Sequence, residues 1–79
     1  MTLLEASQKR IEELCNKNQM NINQLAIASG INPSTIRSIF KVITKAPSSE
    51  KIHYICIGFG ISLKEFYDSS LFNELDDND

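Results

Sequence analysis

The 79 residues predict one small all-α domain. Three observations carry that reading. Capping motifs recur along the chain, apolar residues follow each of them at helical spacing, and no long run alternates apolar with polar positions as a half-buried strand would. A chain of this length holds a single core. Hydrophobic residues at 42%, charged residues at 23%, three glycines and two prolines describe an ordinary globular composition, not a disordered one.

The elements follow in order. Thr2-x-x-Glu5 has the form of a capping box, in which hydroxyl and carboxylate satisfy the orphan N–H groups of a helix start. It opens a helix over 3–18, with Leu4, Ile11, Leu14 and Cys15 on one stripe. Asn21, with Gln24 three positions on, starts a second helix at 22–29; Ile22, Leu25, Ala26 and Ser29 share a face, and Gly30 supplies the left-handed exit. Asn32 caps a third helix, 33–41, and Pro33 sits at its first position, where no N–H is needed. Ile36, Ile39 and Phe40 lie on its inner face, and Val42 to Pro47 reads as a loop. Ser48 caps a fourth helix at 49–59, whose stripe is Ile52, Ile55, Cys56 and Phe59 and whose end falls at Gly58 and Gly60. Ser62-x-x-Glu65 starts a fifth at 63–67, with Leu63 and Phe66 inward. The expected core is Leu14, Leu25, Ala26, Ile31, Ile36, Ile39, Ile52, Ile55, Cys56 and Phe66. Residues 1–68 form the domain and 69–79 an acidic tail.

Charge is unevenly placed. The net charge is −2, yet five of the ten acidic residues (Asp68, Glu74, Asp76, Asp77, Asp79) fall in the last twelve positions. Residues 1–67 hold all eight basic residues against five acidic ones, a net +3. Between 20 and 55, Arg37, Lys41, Lys45 and Lys51 face Glu50 alone. A basic middle of this kind suits a modest nucleic-acid footprint, and a solvated surface is the alternative.

Other classes are excluded by what the chain lacks. The start, Met1 to Glu5, has neither the basic nor the apolar region of a signal peptide, and no apolar run approaches the ~18 residues of a membrane span. Cys15 and Cys56 lie far apart, with no CxxC and a single histidine, His53, so no metal site is expected. They read as buried thiols in a cytoplasmic protein, with a disulfide as the alternative. No Gly-rich phosphate loop and no nucleophile–base spacing indicates an enzyme, a cofactor or a small-molecule substrate.

The informative pair is the second and third helices. In the segment from Gln24 to Ile39, Ala26 is small enough for close packing, Gly30 makes the turn, Ile31 plugs it and Ile36 locks the next helix down. Two helices joined by so short a turn cross steeply, and the second projects from the surface. Here the chain resembles the Cro and phage-repressor type of helix-turn-helix protein, the xenobiotic-response-element-like (XRE) family of bacterial and phage regulators. The resemblance runs from about Arg10 to Tyr67. It rests on Leu25-Ala26, Gly30, Ile36, Pro47-Ser48 and the run from Gly60 to Phe66 as a set.

The resemblance implies a five-helix lambda-repressor-like DNA-binding domain. Its function would be sequence-specific regulation of transcription, with repression the expected sense, and its partner double-stranded DNA. The third helix would read bases in the major groove, while the start of the second helix and the loop after the third would grip phosphates. Helical spacing turns Ser34, Arg37, Ser38 and Lys41 outward. The base-contacting candidates are Pro33, Ser34, Arg37 and Ser38; of these only Arg37 can make a bidentate contact with guanine. The phosphate-contacting candidates are Asn21, Asn23, Thr35, Lys41, Thr44 and Lys45. The chain departs from the family in two places. Ile22 stands where a polar residue is usual, and Val42-Ile43 replaces a polar, glycine-containing turn, so weaker DNA affinity is expected.

Reading two half-sites requires two copies of the reading helix. A weak homodimer is therefore expected, through Tyr54 and Ile57 of the fourth helix with Leu71, Phe72 and Leu75 beyond the fifth. In the alternative, Leu71 and Phe72 fold back over their own core. The rival function is a protein-interaction module on the same scaffold, antitoxin- or antirepressor-like.

Overall fold

In the computed structural model, which describes residues 1–41 and 45–76, each local capping signal has formed its helix. The order is α1 Leu3–Lys17, α2 Ile22–Ser29, α3 Pro33–Lys41, α4 Ser49–Phe59 and α5 Leu63–Tyr67, followed by one 3-10 turn at Ser70–Phe72. No strand occurs among the described residues. At the start of α1 the Thr2 hydroxyl accepts from the Glu5 N–H at 3.1 Å, and the Thr2 N–H donates to Glu5 Oε1 at 3.0 Å. Those donors stabilise the carboxylate and hold its pKa below the ordinary range. Asn21 with Gln24 and Ser62 with Glu65 repeat the reciprocal arrangement. Asn32 Oδ1 takes the Ser34 N–H at 2.9 Å and so caps α3.

The helix ends are less uniform. Gly30 and Gly60 both take φ of 72°, as their sequence positions predict. α1 stops at Lys17, one residue before the expected end. The Asn18 side chain donates back to the Leu14 carbonyl at 2.8 Å, and Gln19 takes the left-handed conformation with φ of 56°. No glycine marks that exit.

One core joins the five helices. Ile11, Leu14, Cys15, Leu25, Ala26, Ile36, Ile39, Ile52, Ile55, Cys56, Phe59 and Phe66 are buried together. One expected core position and one residue expected to face inward differ. Ile31 is only half-buried, because it lies in the turn after Gly30 and covers the edge of the core. Leu63 is 37% exposed, because α5 is a bare turn and a half and turns only Phe66 fully inward. A third correction concerns Gly58. It lies inside α4, where a Cβ would stand 3.0 Å from Ser29 Cβ and 3.1 Å from Ser29 N. Its role is the close approach of α4 to α2.

Polar side chains of α1 terminate two other helices. Gln8 Nε2 donates to the Ile39 carbonyl, in the last turn of α3, at 2.7 Å. Arg10 reaches the end of α5, donating to the carbonyls of Phe66 at 2.7 Å and Glu65 at 2.8 Å, and also pairs with Glu13. Beyond α5, residues 69–76 of the segment expected as an acidic tail turn back on the domain. The Phe72 ring meets Tyr67 edge-on at 5.0 Å and Phe66 at 6.0 Å, and the 3-10 turn packs on α1. Asp76 closes the return: its N–H donates to the Met1 carbonyl at 3.0 Å and its carboxylate lies 3.5 Å from the terminal amine.

Two outcomes are expected. Gly58→Ala gains about 1 kcal/mol of helix propensity but forces a methyl against the backbone of α2, and overpacking of that kind costs about 1–3 kcal/mol. The urea midpoint should therefore fall; a rise would show that α2 can retreat freely. The second concerns pH. Burial raises the pKa of both Cys15 and Cys56; Glu12 adds to it at Cys15, while at Cys56 Arg10 opposes it and Glu65 adds to it. The unfolded thiols ionise near ~8.5 while the folded ones keep their protons. Stability from this source is intact below that pH and declines as pH rises through and above it. Urea titrations at pH 7 and pH 10 should show the decline, and Cys15→Ala/Cys56→Ala should reduce it.

Candidate nucleic-acid interface

α2 and α3 are joined through Gly30, Ile31 and Asn32, with Ile36 fully buried and Ile39 nearly so. Anchoring those two side chains turns the opposite face of α3 to solvent. Ser34, Arg37, Ser38 and Lys41 are exposed along it, while Pro33 and Thr35 are half-buried at its start. The structure thus brings all four base-contacting candidates onto the first turn and a half of one short helix.

Their hydrogen bonds define what that face offers. The Ser34 hydroxyl donates to Asn32 Oδ1 at 2.8 Å, and the Ser38 hydroxyl donates to the Ser34 carbonyl at 2.8 Å. With their protons committed inward, both serines present lone pairs to an approaching group. Arg37 is the long donor between them. Its Nη2 donates to Asn23 Oδ1 on α2 at 2.9 Å, a contact that spans 14 residues of sequence.

The phosphate candidates are less evenly supported. The N–H of Asn21 is engaged by Gln24 Oε1 at 2.9 Å and that of Gln24 by Asn21 Oδ1 at 2.8 Å. Among the described residues, the N–H groups left unengaged at the start of α2 are those of Ile22 and Asn23. Lys41 and Lys45 are exposed on either side of the turn after α3. Thr44, like Val42 and Ile43, lies outside the described residues. Sequence reasoning passed over Lys51. It is exposed in the first turn of α4 and lines one groove with Ser38, Lys45 and Ser48, where its only signal was the basic count of the middle segment. On the other flank of α3 lies a cleft of about 790 Å³ floored by Cys15, Met20, Ile22 and Phe40 and edged by Arg37 and Asn23.

The apolar surface is divided. Tyr54 at 45% and Ile57 at 54% are exposed on α4. Leu71, Phe72 and Leu75 are half-buried, Phe72 against the core itself. Ile27, which sequence reasoning left out, is the most exposed large apolar side chain among those described, at 83%.

A five-helix, lambda-repressor-like all-α domain carrying a helix-turn-helix at α2–α3 is the class that this architecture defines. Within it, the chain is similar to the prophage Lp1 protein 11. Its crystal structure superposes with a TM-score of 0.81 at 31% identity, over 95% of this chain and 99% of that one. At that identity over nearly the full length of both, the chain belongs to the same family as this prophage protein. No family model and no curated protein matches it. Among the described residues, no helix is long and apolar enough to cross a membrane.

The placement of Phe72 sets an expected outcome. A chain ending at Asp68 uncovers Phe66, which is fully buried, and loses the ring contacts of Phe72. It should lose about 2 kcal/mol or more in a thermal or urea melt. Unchanged stability would mean that the returned segment only rests on the surface.

Proposed function

We propose that the chain is a sequence-specific DNA-binding regulator of transcription, most simply a repressor, acting in the cytoplasm without enzymatic activity or a cofactor. The observation that carries this reading is the exposed face of α3. A helix held by Ile36 and Ile39 turns Ser34, Arg37 and Ser38 outward together, with Lys41, Lys45 and Lys51 beside it. A helix of nine residues presented in this way fits the major groove, and the lysines suit the phosphates that flank it. The prophage origin of a structural neighbour agrees with a phage-type regulator.

The same reading includes a weak homodimer, since one nine-residue helix covers a single half-site. Tyr54 and Ile57 are its most exposed candidates, with Leu71 and Leu75 only partly available.

The test is an unbiased selection of duplex DNA by the purified chain at low and moderate salt, followed by two variants. Arg37→Ala should cost ~1–3 kcal/mol on the selected site and relax one base position. Lys45→Ala should weaken all sequences alike and reduce the salt slope by about one. Identical behaviour of the two variants would confine Arg37 to the backbone. Failure to enrich any sequence, with affinity insensitive to salt, would favour a protein-interaction module. For the dimer, Tyr54→Ser/Ile57→Ser should weaken binding to a two-half-site operator and leave a single half-site unaffected. Equal loss on both would remove α4 from the dimer interface.

A further inference from the structure

We propose that Asn23 is a positioning residue for Arg37, and that the pair acts as one donor array selecting guanine over adenine at a single base position. The proposal rests on the DNA-binding reading and assigns Asn23 a role other than the phosphate contact expected of it.

Asn23 sits at the second position of α2, where the Asn21–Gln24 capping box fixes the backbone on both sides of it. Its Oδ1 accepts from Arg37 Nη2 at 2.9 Å, and among the described residues its side chain makes no other hydrogen bond. A guanidinium carries five N–H donors in a rigid plane, so one bond to Asn23 leaves a two-pronged edge available. The bond also fixes the plane of that edge relative to α2 and α3. An exposed arginine otherwise samples many rotamers, and ordering such a side chain on binding opposes affinity.

The same bond decides which chemistry faces outward. An asparagine reads adenine by accepting from N6 and donating to N7. Here one lone pair of that oxygen is engaged by Arg37, so the amide is oriented on the guanidinium rather than on a base. What the pair presents outward is mainly donors, the outer edge of the guanidinium and the Asn23 Nδ2 hydrogens, beside the second lone pair of Oδ1. Guanine presents two acceptors, O6 and N7, in the major groove, whereas adenine presents an acceptor and a donor. A donor-rich edge matches both acceptors of the first, whereas against the second it gains one bond and meets one donor.

The experiment uses the full chain, the site it selects, and that site with guanine replaced by adenine at the position relaxed by Arg37→Ala. The wild-type chain should prefer guanine about tenfold or more. Asn23→Ala should cut this preference ~3–10-fold, with little effect in an Arg37→Ala background and no change in salt slope. Asn23→Asp retains the acceptor for Arg37 and should keep the preference while lowering affinity on all sites. Thermal midpoints of both variants should match the wild type, which separates positioning from a fold defect. Three results would overturn the proposal. These are a uniform loss for Asn23→Ala on guanine and adenine sites with a shallower salt slope, additivity with Arg37→Ala, or loss of the preference in Asn23→Asp equal to that in Asn23→Ala. If the wild-type chain selects no sequence at all, the DNA-binding reading fails and this inference with it. Selection without an Asn23 effect defeats the inference alone.

Discussion

α2 is eight residues long, too short to hold its form by its own hydrogen bonds. It persists because α4 lies against it, and the distance between them is set where Gly58 faces Ser29. At 3.0 Å from a would-be Cβ to Ser29, any side chain at the site would push α2 back by a few tenths of an ångström. Leu25, fully buried beside the same crossing, gains its contacts from that closeness. Everything that projects from the domain depends on this crossing, since α3 is carried by α2 and the turn at Gly30. A shift of α4 would move the outward face of α3 without touching a residue on it.

The polar chemistry of the surface is built on a different scale from the core. Bonds within four residues define it: Ser38 to the Ser34 carbonyl, Ser34 to Asn32, Asn21 to Gln24. The two serine bonds commit a hydroxyl proton inward and leave lone pairs outward, whereas in the Asn21–Gln24 box the side-chain oxygens accept. Donors on this face therefore come from Arg37, the lysines and the side-chain amides. Among the described acidic residues near the end of the chain, Asp76 is fixed at the N-terminus by the Met1 carbonyl and amine.

How much could be read from sequence follows from the range of the interactions. The helix starts were legible because each cap closes within three residues, as in Thr2–Glu5 and Ser62–Glu65, so spacing alone encodes the bond. The stripe of α3 was legible because its period is that of the helix. The end of α1 was not, since it depends on Asn18 folding back and on Gln19 accepting a conformation that glycine usually supplies. Gly58 was read as a stop when it is an approach, because only the position of Ser29, remote in sequence, separates the two. The candidate site divides in the same way. Exposure of Ser34, Arg37 and Ser38 follows from period, whereas the bond from Arg37 to Asn23 depends on which residue of α2 stands beside α3. The Asn21–Gln24 box was visible, yet its effect on the Asn21 N–H, which it consumes, becomes plain only with the bond lengths.

Gln8 and Arg10 give this small domain an unusual dependence on its first helix. The last turn of α3 ends on an amide from α1, and α5 ends on a guanidinium from α1. α2 and α3 are contiguous and look like a portable cassette. Yet a chimaera that moved them to another scaffold would leave the Ile39 carbonyl without its donor and let the reading helix fray where Lys41 emerges. The unit that could be exchanged between such proteins is the chain from α1 onward, and shuffling of shorter pieces would be penalised by the loss of a helix that lies outside the cassette.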